Sequence, residues 1–180
     1  MNTHKGGVIW FTGLPGSGKT TLANNVQHVL LQSNIRCVII DGDDIRHKLN
    51  RDLGFSEEDR MENLRRAAEV TRMFIEAGIF VLAPFITPRE SYRTMIRQHF
   101  QPEDYTELYV KCSLDTCIGR DPKGMYALAL ADQLPNFTGI SAPYDSPVAP
   151  DLKLDTEQLA LQQCVDRLTA YIRSKVKVKS

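Results

Sequence analysis

Short apolar runs alternate with longer amphipathic segments along the chain. The apolar runs span residues 8–11, 37–40, 79–85 and 107–111, and helical patterns span residues 20–32, 56–77, 90–99 and 157–176. Continuous apolar strands separated by helices favour a parallel sheet whose two faces are both covered by helices. We therefore expect an α/β fold of three layers in a single domain, residues 1–180.

One region departs from this alternation. Residues 121–150 are rich in proline, glycine, asparagine and aspartate, and only a short stretch near residues 126–132 has a helical pattern. Loops of this length in a compact domain usually have a function or lack order. Because the segment comes late in an α/β chain, where it can close over the strand ends, we predict an active-site lid.

Composition excludes some partners. The chain has 180 residues, with 22 Lys and Arg against 22 Asp and Glu. A nucleic-acid or membrane-surface binder would carry a basic excess, so neither partner is expected. No signal peptide precedes the first strand, and no apolar run approaches the roughly 20 residues of a membrane span. We expect a cytoplasmic protein. Its cysteines form no CxxC pair, which argues against zinc and for buried reduced thiols; they are Cys37, Cys112, Cys117 and Cys164.

The clearest motif follows the first apolar run. Residues 13–20, GLPGSGKT, fit the pattern GxxxxGK[ST] between a predicted strand and a predicted helix. Backbone N–H groups and the helix N-terminus would bind phosphates, Lys19 would reach the β- and γ-phosphates, and the Thr20 hydroxyl would ligate Mg²⁺. An incidental glycine-rich turn is the alternative, which the strand–helix context disfavours. The motif predicts a P-loop NTPase or nucleoside-kinase-like fold. By itself it indicates only a nucleoside triphosphate, since GTPases, ATPases and small-molecule kinases all use it. The predicted nucleotide-binding residues are Gly13, Pro15, Gly16, Ser17, Gly18, Lys19, Thr20 and Thr21.

Acidic residues end the second predicted strand. Asp41, Asp43 and Asp44 follow residues 37–40, and ligands of open α/β sheets bind at the carboxyl ends of strands. Carboxylates beside a phosphate loop suit Mg²⁺ binding and activation of an acceptor hydroxyl. Alternatively, the segment is a solvated turn that starts a helix with Asp43 or Asp44 as its N-cap, a role compatible with the catalytic one.

A charged helix follows. Residues 56–59, SEED, form a predicted capping box, and Arg60 and Asn63 share a face of the helix because they are three residues apart. Together with Arg46 they could hold a doubly anionic substrate. Alternatively, the charges form a solvated helix face without a ligand.

These segments together resemble the adenylyl sulfate kinase family. The resemblance covers nearly the whole chain from Gly7 to Thr156 and is most specific between Asp41 and Arg66. It rests on FTGLPGSGKTTLA, DGDDIRHKLNRDLGFSEEDRMENLRRAAEV, FITPRESYR, DPKGMY, NFTGISAPYD and VAPDLKLDT.

The resemblance implies roles for individual residues. It places Arg120 near the ATP base, makes Asp43 the carboxylate beside the acceptor hydroxyl, and gives Asp41 a supporting role at the metal with Thr20. It stacks Phe137 on the substrate adenine and puts Lys123 in the lid at the active site, so that Asp43, Lys19 and Lys123 form the catalytic set. The implied acceptor site comprises Asp43, Arg46, Phe55, Arg60, Asn63, Ile86, Thr87, Lys123 and Phe137.

The implied activity is phosphorylation of the 3′-hydroxyl of adenylyl sulfate by ATP and Mg²⁺, giving 3′-phosphoadenylyl sulfate and ADP in sulfate assimilation. The resemblance also implies a homodimer. The alternatives are a P-loop kinase that acts on another nucleotide or a sugar, and a binding protein without useful turnover.

Two positions depart from the family pattern. Thr87 stands where many relatives have a serine that can carry a phosphate, which puts phosphorylation here in doubt. In the lid, the segment that begins at Gly124 is GMYALA, where relatives usually have GLYKKAR. Two lysines and an arginine are therefore missing after Tyr126, which lowers the positive charge over the phosphates.

Overall fold

The computed structural model describes residues 6–176; most of the polar segment before the first strand lies outside them. Five parallel strands form one sheet in the order β2-β3-β1-β4-β5. The strands are β1 (Gly7–Thr12), β2 (Cys37–Ile39), β3 (Phe80–Pro84), β4 (Tyr105–Lys111) and β5 (Leu152–Asp155).

Helices cover both faces of this sheet, which confirms the expected three-layer α/β fold. The helices are α1 (Lys19–Gln32), α2 (Gly42–His47), α3 (Glu57–Glu76), α4 (Glu90–Arg97), α5 (Leu114–Arg120), α6 (Met125–Leu130) and α7 (Leu161–Lys175). Side chains of β1 alternate between the layers: Ile9 and Phe11 pack with α1 and α7, whereas Val8 and Trp10 pack with α3 and α4.

The ends of α3 are fixed by the signals that the sequence contains. The Ser56 hydroxyl caps the helix by accepting a hydrogen bond from the Asp59 N–H at 3.1 Å. At the other end Gly78 takes a left-handed conformation (φ 72°), and the next residue, Ile79, donates its N–H to the Phe74 carbonyl. The predicted helix at residues 56–77 is thus confirmed, with its glycine stop.

Other elements differ from the expectation. The patterns missed β5 and α5, because a four-residue edge strand and a seven-residue helix are too short to show a period. The last helix begins at Leu161 rather than at residue 157. Glu157 instead binds the N-terminus of α5, where its carboxylate accepts from the Ser113 N–H at 2.8 Å and from the Ser113 hydroxyl at 2.7 Å.

The predicted functional residues lie together at the carboxyl-terminal edge of the sheet. Because all five strands run the same way, their carboxyl ends lie together. The phosphate loop follows β1, Asp41 follows β2, and Ile86 and Thr87 follow β3. None of the described helices combines the length and the hydropathy of a membrane span.

Candidate active site

The phosphate loop connects β1 to α1 as the motif predicts. Gly16 and Gly18 have left-handed backbone conformations, with φ of 76° and 98°, which L-residues rarely adopt. A Cβ at Gly16 would also lie 3.3 Å from the carbonyl oxygen of Cys117 in α5. The two glycines therefore permit the curl that turns successive N–H groups toward a phosphate.

Lys19 lies inside this loop. Its residue is only 8% exposed, and its ammonium donates hydrogen bonds to the carbonyls of Gly13 at 2.8 Å and Leu14 at 2.7 Å. Burial lowers the pKa of Lys19 to about 8, against an upward effect of nearby Asp41 and Asp43. A buried cation with few counter-charges favours an incoming phosphate.

The two predicted metal ligands are in contact. The Thr20 hydroxyl donates to one carboxylate oxygen of Asp41 at 2.8 Å, and the other oxygen accepts from the Asp43 N–H at 2.9 Å. Asp41 thus caps α2 while facing Thr20. The expected caps, Asp43 and Asp44, lie instead in the first turn of the helix, because α2 already begins at Gly42. The role of Asp41 at a metal stays a prediction. A hydroxyl and a carboxylate are hard oxygen donors of the kind that Mg²⁺ uses with substrate phosphates, so this pair fits a Mg²⁺ ion.

Asp43 and Lys123 form an ion pair between α2 and the lid. Both side chains are about two-thirds exposed, and the hydrogen bond to Asp43 raises the pKa of Lys123. Asp43 also acts electrostatically on the pKa values of Lys19 and of Arg46. Because α2 begins beside Thr20 and also contains Arg46, the Asp43 carboxylate lies between the phosphate loop and the predicted acceptor site.

Two guanidinium groups flank one exposed aromatic ring. Arg46 lies 4.7 Å and Arg60 5.9 Å from the centre of Phe55, which is 64% exposed. Burial and the neighbouring Arg60 hold the pKa of Arg46 below its usual value. Two cations close enough to repel each other form a site that an anion would stabilise.

Asn63 occupies a different environment from Arg60. It is 4% exposed, and its carboxamide oxygen accepts from the Asn50 carboxamide at 3.0 Å. Helical spacing puts the two residues on one side of α3, but only Arg60 lies at the surface. Asn50 carried no sequence signal, and its contact with Asn63 joins the loop after α2 to α3.

The segment after β3 is tightly packed. Thr87 is 1% exposed, has a φ of 42°, and its hydroxyl accepts from the Trp10 indole N–H at 2.9 Å. The Ile86 carbonyl accepts from the Thr12 hydroxyl at 2.7 Å and from the Gly13 N–H at 3.3 Å. The Thr87 hydroxyl thus faces the core, so its contact with an acceptor stays a prediction.

The lid is attached to the phosphate loop through aromatic residues. The buried Tyr126 donates its hydroxyl to the Pro15 carbonyl at 2.8 Å. Phe137 is partly buried and meets the Tyr126 ring edge-on, with ring centres 5.0 Å apart. The Asn136 carbonyl accepts a hydrogen bond from the Arg60 guanidinium at 2.7 Å, which connects the lid to the predicted acceptor site.

Arg120 joins three parts of the donor side. Its guanidinium, at the end of α5, donates to the Thr156 carbonyl at 2.9 Å and reaches the Gly16 carbonyl at 3.5 Å. The Thr156 hydroxyl in turn donates to the Ser17 carbonyl at 3.1 Å. Thr156, which the motif search did not single out, therefore holds the phosphate loop beside the segment that follows β5.

The altered lid positions lie on α6. Within the altered segment, Ala127 and Leu128 are exposed and Ala129 is buried, and the following Leu130 is exposed as well. Lys123 is the single cation among residues 121–150, against three aspartates. The lid therefore offers one positive charge to a phosphate.

A separate cleft of about 780 Å³ lies under the end of the lid. It touches the phosphate loop at Leu14, but its walls include neither Lys19 nor Asp43. It is lined by residues of the β4–α5 junction, by lid residues 139–144 and 146, and by Tyr109, Leu14 and Glu157.

Known proteins of one family match this chain in sequence. A family model described as adenylylsulphate kinase matches residues 5–155. An adenylyl-sulfate kinase of Geotalea uraniireducens is 49% identical, covering 97% of this chain and 84% of the relative. One of Bacillus pumilus is 46% identical, covering 98% and 89%.

Solved structures agree as well. An APS kinase of Mycobacterium tuberculosis, in complex with AMPPNP and APS, superposes with a TM-score of 0.90 at 39% identity, covering 94% of this chain and 98% of that one. A sugar kinase of Janibacter sp., at 22% identity and a TM-score of 0.63, covering 96% and 99%, shares the fold alone. The chain belongs to the adenylylsulphate kinase family.

Proposed function

We propose that this protein transfers the γ-phosphoryl group of ATP to the 3′-hydroxyl of adenylyl sulfate, producing 3′-phosphoadenylyl sulfate and ADP. One observation carries the proposal: the Asp41 carboxylate binds both the Thr20 hydroxyl of the phosphate loop and the N–H of Asp43, which shares α2 with Arg46. A carboxylate between a phosphate loop and an arginine pair suits the activation of a hydroxyl that belongs to an anionic acceptor. The matching relatives carry the name of this activity.

On the donor side, the loop N–H groups and Lys19 bind the β- and γ-phosphates of ATP. Thr20 and Asp41 hold Mg²⁺, which neutralises charge on the phosphates when it is bound. Arg120 and Thr156, which are joined by hydrogen bonds, lie beside the base of the nucleotide.

On the acceptor side, Arg46 and Arg60 bind the phosphosulfate group. Guanidinium groups suit this ligand because they donate paired hydrogen bonds to oxyanions and stay charged. The adenine lies between Phe55 and Phe137, where flat rings provide stacking surfaces. Asn63, Ile86 and Thr87 support the pocket from below through the packed segments that they belong to.

In the chemical step, the 3′-oxygen forms a bond to the γ-phosphorus while the bond from that phosphorus to the β–γ bridging oxygen breaks. The hydroxyl proton passes to the Asp43 carboxylate, and ADP leaves with the bridging oxygen. The transition state of such transfers is loose, so positioning and charge stabilisation provide most of the catalysis. Lys19 and Lys123 supply that stabilisation.

The lid covers the reacting groups and excludes water, which would otherwise compete with the acceptor for the phosphoryl group. Lys123 moves with the lid, so its pairing with Asp43 couples closure to the acceptor site. The resemblance to the family implies a homodimer, which light scattering after size exclusion would test. One related APS kinase, from Thiobacillus denitrificans, is hexameric.

A second candidate follows from the altered lid. Lys123 is the single cation of the lid, so the lid attracts a strongly anionic acceptor less than a lid with several cations would. A less anionic acceptor, such as another nucleotide or a sugar, depends less on this attraction and would lose less binding free energy than adenylyl sulfate.

A coupled ADP-release assay with a panel of acceptors separates the two. The panel contains adenylyl sulfate, AMP, adenosine and gluconate, and the Lys19→Ala variant serves as the background. We expect adenylyl sulfate to be the best acceptor by a factor of 100 or more in kcat/KM, because a site built around a charged group rejects analogues that lack it. Equal efficiency with adenosine or gluconate would contradict the proposal.

A further inference from the structure

Tyr144 lies where the lid returns to the sheet. Its phenol oxygen is 2.9 Å from the hydroxyl of Thr12, the last residue of β1. The ring stacks loosely on Tyr109, with centres 6.4 Å apart. Burial raises the pKa of Tyr144, so the phenol keeps its proton at physiological pH and can donate it.

Thr12 connects Tyr144 to the segment after β3. It is fully buried, and its hydroxyl lies 2.7 Å from the Ile86 carbonyl and 3.2 Å from the Thr87 carbonyl. When Tyr144 donates to Thr12, the Thr12 proton is free to go to Ile86, so the bonds form a directed chain. This chain of hydrogen bonds joins the lid, Thr12 before the phosphate loop, and Ile86 and Thr87 after β3, which we call the acceptor segment.

A second contact fixes the same end of the lid. The Asp145 N–H donates to the Pro88 carbonyl at 2.7 Å, and the Asp145 carboxylate accepts from the Glu90 N–H at 3.4 Å, at the first turn of α4. The lid therefore has an end that is bonded to the segment after β3, whereas its exposed part, with Lys123, pairs with α2.

The acceptor segment needs such support. Thr87 is β-branched, and a φ of 42° is strongly unfavourable for that residue type. The buried Arg93 donates to the Thr87 carbonyl at 3.1 Å, and Trp10 donates to its hydroxyl. Conformations of this kind persist where the surroundings over-determine them, and they cluster at functional sites.

We propose that Tyr144 is a positioning residue for phosphoryl transfer. Through Thr12 it sets the placement of Ile86 and Thr87 relative to the phosphate loop, and it fixes the returning end of the lid. We assign Tyr144 no direct role at the phosphates or at the reacting hydroxyl. The inference rests on the proposed function, because it assigns the segment after β3 to the acceptor.

The test is Tyr144→Phe, which removes the hydroxyl and keeps the ring. One hydrogen bond lost at a buried site corresponds to about a fivefold change in an equilibrium constant. We expect the KM for adenylyl sulfate to rise about fivefold and kcat to fall, while the KM for ATP stays within about twofold. Thr12→Val should reproduce this pattern, and the double variant should be no worse than either single one, since the two changes break the same chain.

Tyr109→Phe is the matched control. It removes a phenol hydroxyl from the same cleft, one that contacts Ser146 at 3.3 Å and reaches no part of the acceptor segment. Its KM values should match those of the wild type. Thr12→Ser, which keeps the hydroxyl, should also retain wild-type acceptor KM.

The outcomes separate this inference from the proposed function. A wild-type protein that prefers another acceptor refutes the proposed function before any variant is made, and the variants are then assayed with that preferred acceptor. Acceptor binding is measured by calorimetry with ADP present, so the test does not need turnover. Equal increases in both KM values, or a lower melting temperature with unchanged acceptor binding, would show that Tyr144 only packs and would overturn the inference.

Discussion

The phosphate loop and the lid meet over the same ligands but are held in different ways. The loop is fixed by its own backbone and by buried neighbours: Gly16 lies against Cys117, and Lys19 is bonded to Gly13 and Leu14. The lid is held by separate side-chain contacts, among them Tyr126 to Pro15, Lys123 to Asp43 and Tyr144 to Thr12.

This difference explains where the chain tolerates change. A substitution in the loop would alter backbone geometry or a buried charge, and the motif there is intact. In the lid, α6 exposes Ala127, Leu128 and Leu130, so replacing cations there leaves the packing unaffected. The donor site thus depends on local sequence, and lid chemistry can vary without a loss of fold.

The largest expected effect is on the loop side. Lys19→Ala should lower kcat by about 100-fold or more, the usual result of removing one group that stabilises a developing charge. The melting temperature should change little, because the Gly13 and Leu14 carbonyls and the Ser17 hydroxyl, which accept from Lys19, can bond to water in its place. Lys48→Ala, which removes an exposed lysine paired with Asp44, is the control and should keep full activity. Near-normal activity of Lys19→Ala would remove the loop from the mechanism.

The next effect tests the lid. Phe137→Ala should weaken adenylyl sulfate binding by about 5- to 150-fold, since a base stacked on an aromatic ring is worth roughly 1–3 kcal/mol. Phe137→Leu is the matched control because it keeps the apolar contact with Tyr126 but offers no flat ring. Calorimetry should find both variants weak. A leucine variant with wild-type affinity would mean that Phe137 only packs against the lid.

The pH dependence of ATP binding tests whether the charge of Lys19 contributes to binding at the phosphate loop. Burial lowers the pKa of Lys19 to about 8, so above that pH the free protein increasingly holds a neutral amine. The dissociation constant for ATP should therefore rise with pH above about 8, by at most tenfold per pH unit. In Lys19→Arg the guanidinium stays charged, and this rise should vanish. An identical rise in both proteins would assign it to another group.

Without nucleotide, the lowered pKa of Lys19 makes the free energy of unfolding rise with pH, whereas the same change in pH weakens ATP binding. Between about pH 8 and the ordinary value of 10.5, the unfolded chain keeps a proton on Lys19 that the folded chain has lost. The Lys19 contribution to the free energy of unfolding therefore increases with pH across this window. Denaturant unfolding of the wild type and of Lys19→Met at several pH values measures the difference.

The smallest effect comes from the exposed lid positions. Restoring charge with Leu128→Lys and Leu130→Arg should tighten phosphate binding by about fivefold at most, because exposed charges contribute up to about 1 kcal/mol. The gain should disappear in high salt, and Leu128→Gln with Leu130→Gln should show none. A gain that persists in high salt would mean that packing of α6, rather than charge, changed.

Sequence patterns predicted the local parts of this molecule well. The strand–loop–helix unit around Lys19 and the capped helix after Ser56 depend on neighbouring residues, whose preferences a pattern contains. The burial of Asn63 was not predictable from its spacing to Arg60, because sharing a side of a helix does not fix exposure. The pairing of Tyr144 with Thr12 joins residues that are 132 positions apart in the sequence, and no spacing rule connects them.

The central position of β1 determines when the phosphate loop can form during synthesis. The strand is made first, yet Gly7 pairs with Phe80 and Val8 pairs with Tyr105. Gly13 lies close to the carbonyl of Val110, and the loop packs against α5 beyond it. A nascent chain that carries the complete motif therefore cannot bind nucleotide until β4 and α5 have left the ribosome, so ATP becomes a ligand of the folded domain rather than of its first segment.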